Sequence, residues 1–100
     1  MDACTREALG FANEVRRALG LRPVAALSKG RRMQGERCPL ARTITAGEAA
    51  LSCAVDADRV VVWVGEQADG LEAHSFAVRD TVAHFIERFD ARAYPELEAR

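Results

Sequence analysis

The segment Arg59-Val60-Val61-Val62-Trp63-Val64-Gly65 decides the fold. As an extended strand it places three valines on one face and Val61 with Trp63 on the other, so both faces are apolar. A sheet with one solvated face does not normally carry such a strand. We therefore expect either helices on both faces of the sheet or a subunit interface, such as that of a homodimer, at Val61 and Trp63.

Two further strand patterns flank this segment. Apolar residues alternate with small ones over residues 51–55, which predicts a strand with one buried face. The pair Asp69-Gly70 favours a tight hairpin turn, and this turn predicts a third strand over residues 71–77. The sequence thus predicts a two- to three-stranded antiparallel meander.

Helical patterns surround the meander. An amphipathic stripe predicts a helix over residues 5–19, capped by Thr5 or Asp2. A short helix is expected at residues 23–28, another at residues 38–46, and a last one at residues 80–90 with Asp80 as its cap. The predicted fold class is α+β, with three N-terminal helices (one short), the meander and one C-terminal helix. One hundred residues suit a single domain covering positions 1–100.

Charge is distributed unevenly along the chain, although the formal net charge is only −1. Residues 1–47 carry nine basic and four acidic groups, whereas residues 48–100 carry five basic and eleven acidic groups. The span from Arg16 to Arg42 reaches +7. Such asymmetry indicates an anionic partner for the first half, and the alternative is that the two halves fold together and neutralise each other.

An exposed, flexible loop over residues 29–37 is the strongest candidate for binding. The candidate anion-binding residues are Lys29, Arg31, Arg32, Arg37 and Arg42, which would contact the phosphates of a nucleic acid or the carboxylates of an acidic protein. The order of elements matches a winged helix-turn-helix, but the long joint and the acidic hairpin argue against that motif. One structural observation tests this interpretation: whether Arg16, Arg17 and the arginines among the candidates share one open face, as it leads us to expect, or are covered by acidic residues of the second half.

The three cysteines are widely spaced and odd in number, which favours reduced thiols in the cytoplasm. Cys38 follows Arg37 at a predicted helix start, so a lowered pKa and a reactive thiol are one interpretation; a small half-buried cap is the other. No spacing predicts a metal site, a cofactor or a catalytic constellation. No signal peptide or membrane-spanning run is predicted.

Two stretches of the chain resemble a group of short uncharacterised proteins of actinobacteria and their phages. They are Gly30-Arg31-Arg32 with residues 37–42, and Phe85-Ile86-Glu87-Arg88-Phe89-Asp90 with residues 94–97. The resemblance implies no activity; it implies a small accessory protein in which the basic loop and Cys38-Pro39 form one unit with the tail.

These observations predict a small cytoplasmic, non-enzymatic binding or regulatory protein that contacts nucleic acid through its arginine-rich loop. The first alternative is a protein-interaction adaptor, homodimeric or bound to another protein through Val61 and Trp63. The second is a thiol-dependent enzyme that uses Cys38.

Overall fold

The computed structural model describes residues 2–65 and 70–99. Helix α1 spans Ala3–Ala18 and the short helix α2 spans Pro39–Ile44. The remaining elements are, in order, strands β1 (Leu51–Val55), β2 (Arg59–Val64) and β3 (Glu72–Ala77), helix α3 (Asp80–Asp90) and a 3-10 helix (Pro95–Leu97). The α+β class and the antiparallel sheet are confirmed.

The sheet has the strand order β1-β2-β3, and both pairings are antiparallel. Alternation along β2 turns Val60 and Val62 inward, where neither has any exposed surface. This inner face packs against apolar side chains from all three helices: Phe11, Val15, Leu40, Ile44 and Val82. Burying an aliphatic side chain of this size contributes about 1.5–3 kcal/mol, so this layer is the main source of stability.

The helix predicted at residues 23–28 does not form, and the prediction was wrong. The side chain of Asn13 binds both main-chain groups of Val24: its Nδ2 donates to the carbonyl at 3.0 Å, and its Oδ1 accepts the N–H at 2.8 Å. Farther along, the N–H of Ser28 donates to Oγ1 of Thr43. Side chains of α1 and α2 therefore satisfy main-chain groups that a helical ladder would need.

The helix ends differ in detail from their predictions. Asp2 caps α1, because its carboxylate accepts the N–H of Thr5 at 2.8 Å. Asp80 does not cap α3 as predicted; it is the first helical residue, and Arg79 occupies the cap position without a side-chain hydrogen bond. The predicted Asp69-Gly70 turn lies partly outside the described residues, since Asp69 is not among them.

The segment after α3 folds back and packs against α1 and α3. Tyr94 is buried, and its ring stacks on Phe85 with 5.3 Å between the ring centroids. Together with Phe89 and Ala8 they form a second, smaller apolar cluster. None of the helices in the described part of the chain is long and apolar enough to span a membrane.

Candidate functional site: a basic surface beside an open sheet face

The basic loop is held at several points, so the expectation of a flexible loop was wrong. At its start, Gly30 donates to the carbonyl of Leu97 and accepts from the N–H of Ala99, both at 2.8 Å. Within the loop, the N–H of Arg31 donates to the carbonyl of Arg37 at 2.7 Å. The two bonds of Gly30 join the loop to the tail.

Two glycines let the loop approach the body of the protein closely. A Cβ atom on Gly30 would lie 2.3 Å from the main-chain nitrogen of Pro39, and one on Gly35 would lie 2.4 Å from the carbonyl oxygen of Val55. The N–H of Val55 in turn donates to the carbonyl of Gly35 at 3.0 Å. Glycine is needed here because any side chain would collide with main-chain atoms.

All five candidate cations lie on this loop or beside it, and four of them form no ion pair within the described part of the chain: Lys29, Arg31, Arg37 and Arg42, hereafter the basic cluster. The Arg31–Arg37 hydrogen bond brings two of their main chains together. The guanidinium of Arg42 lies 3.5 Å from the carbonyl oxygen of Lys29. Lys29, Arg31 and Arg37 are exposed, and within residues 2–65 and 70–99 no carboxylate forms an ion pair with any member of the cluster.

Two other arginines are engaged within the fold. Nε of Arg32 lies 2.8 Å from the Glu98 carboxylate, which ties a fifth candidate cation to the tail. Arg16 is only 4% exposed. The expectation that all the arginines share one open face was therefore wrong for Arg16, and the charge count for residues 16–42 overstates the basic surface.

The side chain of Arg16 donates hydrogen bonds to main-chain carbonyls at the C-terminal end of α2. Its Nη1 donates to the carbonyls of Ile44 at 2.8 Å and Ala46 at 3.0 Å, and its Nε donates to the carbonyl of Arg22 at 2.7 Å. Ile44 is the last residue of α2, so its carbonyl is one that a helix end leaves without a partner, whereas Arg22 and Ala46 lie in the segments that follow α1 and α2. Sequence reasoning missed this role, although Arg16 lies one helical turn after the buried Ala12 and so falls on the apolar stripe.

Cys38 caps α2 and is buried. Its Sγ accepts the N–H of Ala41 at 3.4 Å and lies 3.7 Å from the carbonyl oxygen of Gly35. Burial raises the pKa of the Cys38 thiol, whereas the helix-start argument predicted a lowered pKa. The arrangement matches the alternative interpretation of a small capping residue.

Val61 and Trp63 lie on the face of the sheet opposite the helices. In register, Trp63 stands between Ser52 and Ala73, and Val61 stands between Ala54 and Ser75. We call these six residues the outer face. Helices cover only the inner face in the described residues, so the alternative with helices on both faces is not realised and no helix covers the outer face.

A shallow hollow of about 490 Å³ connects the outer face to the basic cluster. It is lined by Arg37 and Glu36 from the loop, by Ser52 and Trp63 from the sheet, and by Leu71, which is 44% exposed. Arg37 is the one arginine in this lining, and it shares the hollow with the only tryptophan of the chain.

The remaining candidates for chemistry are not brought together. Among the described residues, no group of three His, Cys, Asp or Glu side chains is arranged to hold a metal ion. The helix-turn-helix interpretation is not supported, because no helix precedes α2 within residues 19–38. Thr43, on the helix that would read bases, has no exposed surface.

No family model matches the chain, and neither a curated protein nor a solved structure matches it.

Proposed function

We propose that this protein is a non-enzymatic nucleic-acid-binding module that contacts phosphates through the basic cluster. The observation that carries the proposal is the juxtaposition of Lys29, Arg31, Arg37 and Arg42 without a carboxylate partner among the described residues. Guanidinium groups bind phosphate oxygens in a bidentate geometry, and three of the four cations are arginines.

Electrostatics favours an anionic ligand at this surface. Like charges on neighbouring residues repel, and the Arg31–Arg37 main-chain bond keeps two of these residues next to each other. Another surface arginine has carboxylate partners within the fold: Arg79 contacts Glu14 at 2.7 Å and Glu7 at 3.7 Å. A phosphate backbone would supply to the basic cluster the counter-charge that the fold supplies to Arg79.

The held loop also reduces the entropic cost of binding. A flexible loop loses conformational freedom when it docks, whereas this loop is already fixed by main-chain bonds at Gly30, Arg31 and Gly35. The ion pair between Arg32 and Glu98 also holds the loop to the tail, and Arg32 is not a member of the basic cluster.

The test is a binding titration of the full chain with labelled oligonucleotides at about 50 and 200 mM salt. Binding should weaken with salt, with a slope of log affinity against log salt of about −0.7 for each phosphate contacted on a single strand and about −0.9 on duplex DNA. The double variant Arg31→Gln/Arg37→Gln should weaken binding and reduce this slope by about the contribution of two phosphates.

A matched control removes the same charge from exposed positions outside the cluster, Arg17→Gln/Arg22→Gln. If the control loses as much affinity as the cluster variant, net charge and not the cluster governs binding. Absence of binding to any oligonucleotide at the lower salt concentration would overturn the proposal.

A further inference from the structure

We propose that the outer face binds a single-stranded nucleic acid, with a base stacked on Trp63 and the adjoining phosphate at Arg37. This inference rests on the proposed function and specifies its ligand. The argument begins with the composition of the face. The solvated face of an antiparallel sheet is normally polar, yet the residues around Trp63 on this face are small or apolar, and the one charged strand residue on it, Arg59, lies at the far end of β2.

Trp63 is partly exposed, and its neighbours across the sheet are small. The residues directly opposite Trp63 in the register are Ser52 and Ala73, both exposed and neither large enough to cover a ring. A flat base can therefore approach the indole from the open side. Aromatic side chains on an exposed sheet are a recurrent platform for unpaired bases, because every base offers a π face.

Charge selects the ligand class. Trp63 and Arg37 line the same hollow, so a nucleotide whose base lies on the indole has a cation beside it for the phosphate. The rest of the basic cluster continues from Arg37 through its main-chain bond to Arg31. Glu36 lines the hollow too and opposes an anion, so Glu36→Gln should tighten binding.

A single strand fits this surface better than a duplex. Bases of a duplex are stacked on one another, and reading their edges takes an element that enters a groove. Helix α2 has only six residues, and Thr43 on it is buried. Stacking on a sheet requires unpaired bases, which only a single strand provides.

The area argues against a second copy of this chain as the occupant. Three strands about 4.8 Å apart, each about six residues long, cover roughly 300 Å², whereas a stable interface buries about 800 Å² on each partner. A strand of nucleic acid needs no such area, because its affinity comes from phosphate contacts and from stacking of individual bases.

The chain has one tryptophan, so its fluorescence reports directly on the site. The experiment titrates the full chain with oligothymidylate, oligouridylate, an abasic oligomer of the same length and a DNA duplex, following Trp63 emission and oligonucleotide anisotropy. Single strands that carry bases should quench the emission and bind about 5- to 100-fold more tightly than the abasic oligomer. Comparison of thymidylate with uridylate shows whether DNA or RNA is preferred.

Two variants test the residues. Trp63→Leu should remove the preference for bases over the abasic oligomer while it keeps the salt dependence that the basic cluster supplies. Ala73→Glu places a carboxylate opposite Trp63 at an exposed position and should weaken single-strand binding. Ala25→Glu makes the same charge change in the exposed segment after α1 and should leave binding nearly unchanged.

The outcomes separate this inference from the proposed function. Salt-dependent binding with equal affinity for abasic and base-carrying oligomers, and no quenching, would overturn the base-stacking site and leave the phosphate-binding function standing. No binding at low salt would overturn both. A dimer in light scattering that Ala73→Glu converts to a monomer would show that a second copy occupies the outer face, and would also overturn the inference.

Discussion

Replacing Arg16 by methionine should destabilise the whole protein, because this guanidinium connects α1 to the end of α2. Methionine keeps much of the apolar stem and removes every donor. Three short hydrogen bonds disappear, to the carbonyls of Arg22, Ile44 and Ala46. A hydrogen bond from a charged group contributes about 1.5–3 kcal/mol. The lower figure applies here, because removing the buried charge offsets part of the loss.

The expected loss is therefore about 3–5 kcal/mol, out of the roughly 5–15 kcal/mol typical of a domain. In a domain of this length it corresponds to a fall of about 12 °C or more in the melting temperature. Equilibrium unfolding in urea measures the free energy directly. The matched control is Arg17→Met, which changes the exposed neighbour and should shift stability by less than about 0.5 kcal/mol.

An intermediate variant sharpens the test. Arg16→Lys keeps the positive charge, but a single ammonium group cannot replace the separate Nε and Nη1 donors that bind the carbonyls of Arg22 and Ile44. It should fall between the wild type and Arg16→Met. If Arg16→Met lost no more than about 1 kcal/mol, the assignment of Arg16 as the partner of the α2 carbonyls would be refuted.

Two further predictions concern thiols and pH. In native buffer iodoacetamide should modify Cys4 and leave Cys38 and Cys53 intact until urea is added. The reason is that burial raises the pKa of the Cys38 thiol and raises that of the Cys53 thiol to about 12. Mass spectrometry identifies the modified cysteines, and rapid modification of Cys38 would contradict its capping role. The bond from the Thr5 N–H lowers the pKa of Asp2, so its stabilising contribution is full above its unfolded pKa and is lost as pH falls through the lower folded value. The stability difference between wild type and Asp2→Ala should accordingly shrink as pH falls from about 6 to about 2, and a difference independent of pH would contradict the cap.

The sheet and the three α-helices could be predicted because their signals are local, although the predicted ends differ by a few residues. The alternation of apolar and small residues over residues 51–55 and the valine-rich strand predict the meander at the right place. The stripe of apolar residues along α3 predicts the bounds of that helix. The segment at residues 23–28 could not be predicted, since its conformation depends on Asn13, which lies 11 positions before Val24. A pattern within the segment carries no information about that partner.

The sequence shows which charged residues could form the candidate site, but it does not show which of them lie together on the surface. Lys29, Arg31, Arg37 and Arg42 are visible as charges, but Arg16 and Arg17 look equivalent in a charge count while one is buried and the other exposed. The distinction depends on helical phase and on the position of α2. The openness of the outer face was left as an alternative, because only the packed structure shows where the helices lie.

The bridge between Gly30 and the tail has a consequence for synthesis. Arg32 and Glu98 are 66 positions apart, and a ribosome adding about 5–20 residues per second needs several seconds to cover that distance. Until residues 97–99 emerge, the loop lacks the partners of Gly30 and Arg32. The bonds of Arg31 with Arg37 and of Gly35 with Val55 need no tail residue, so the loop gains only its last points of attachment after the tail has been translated.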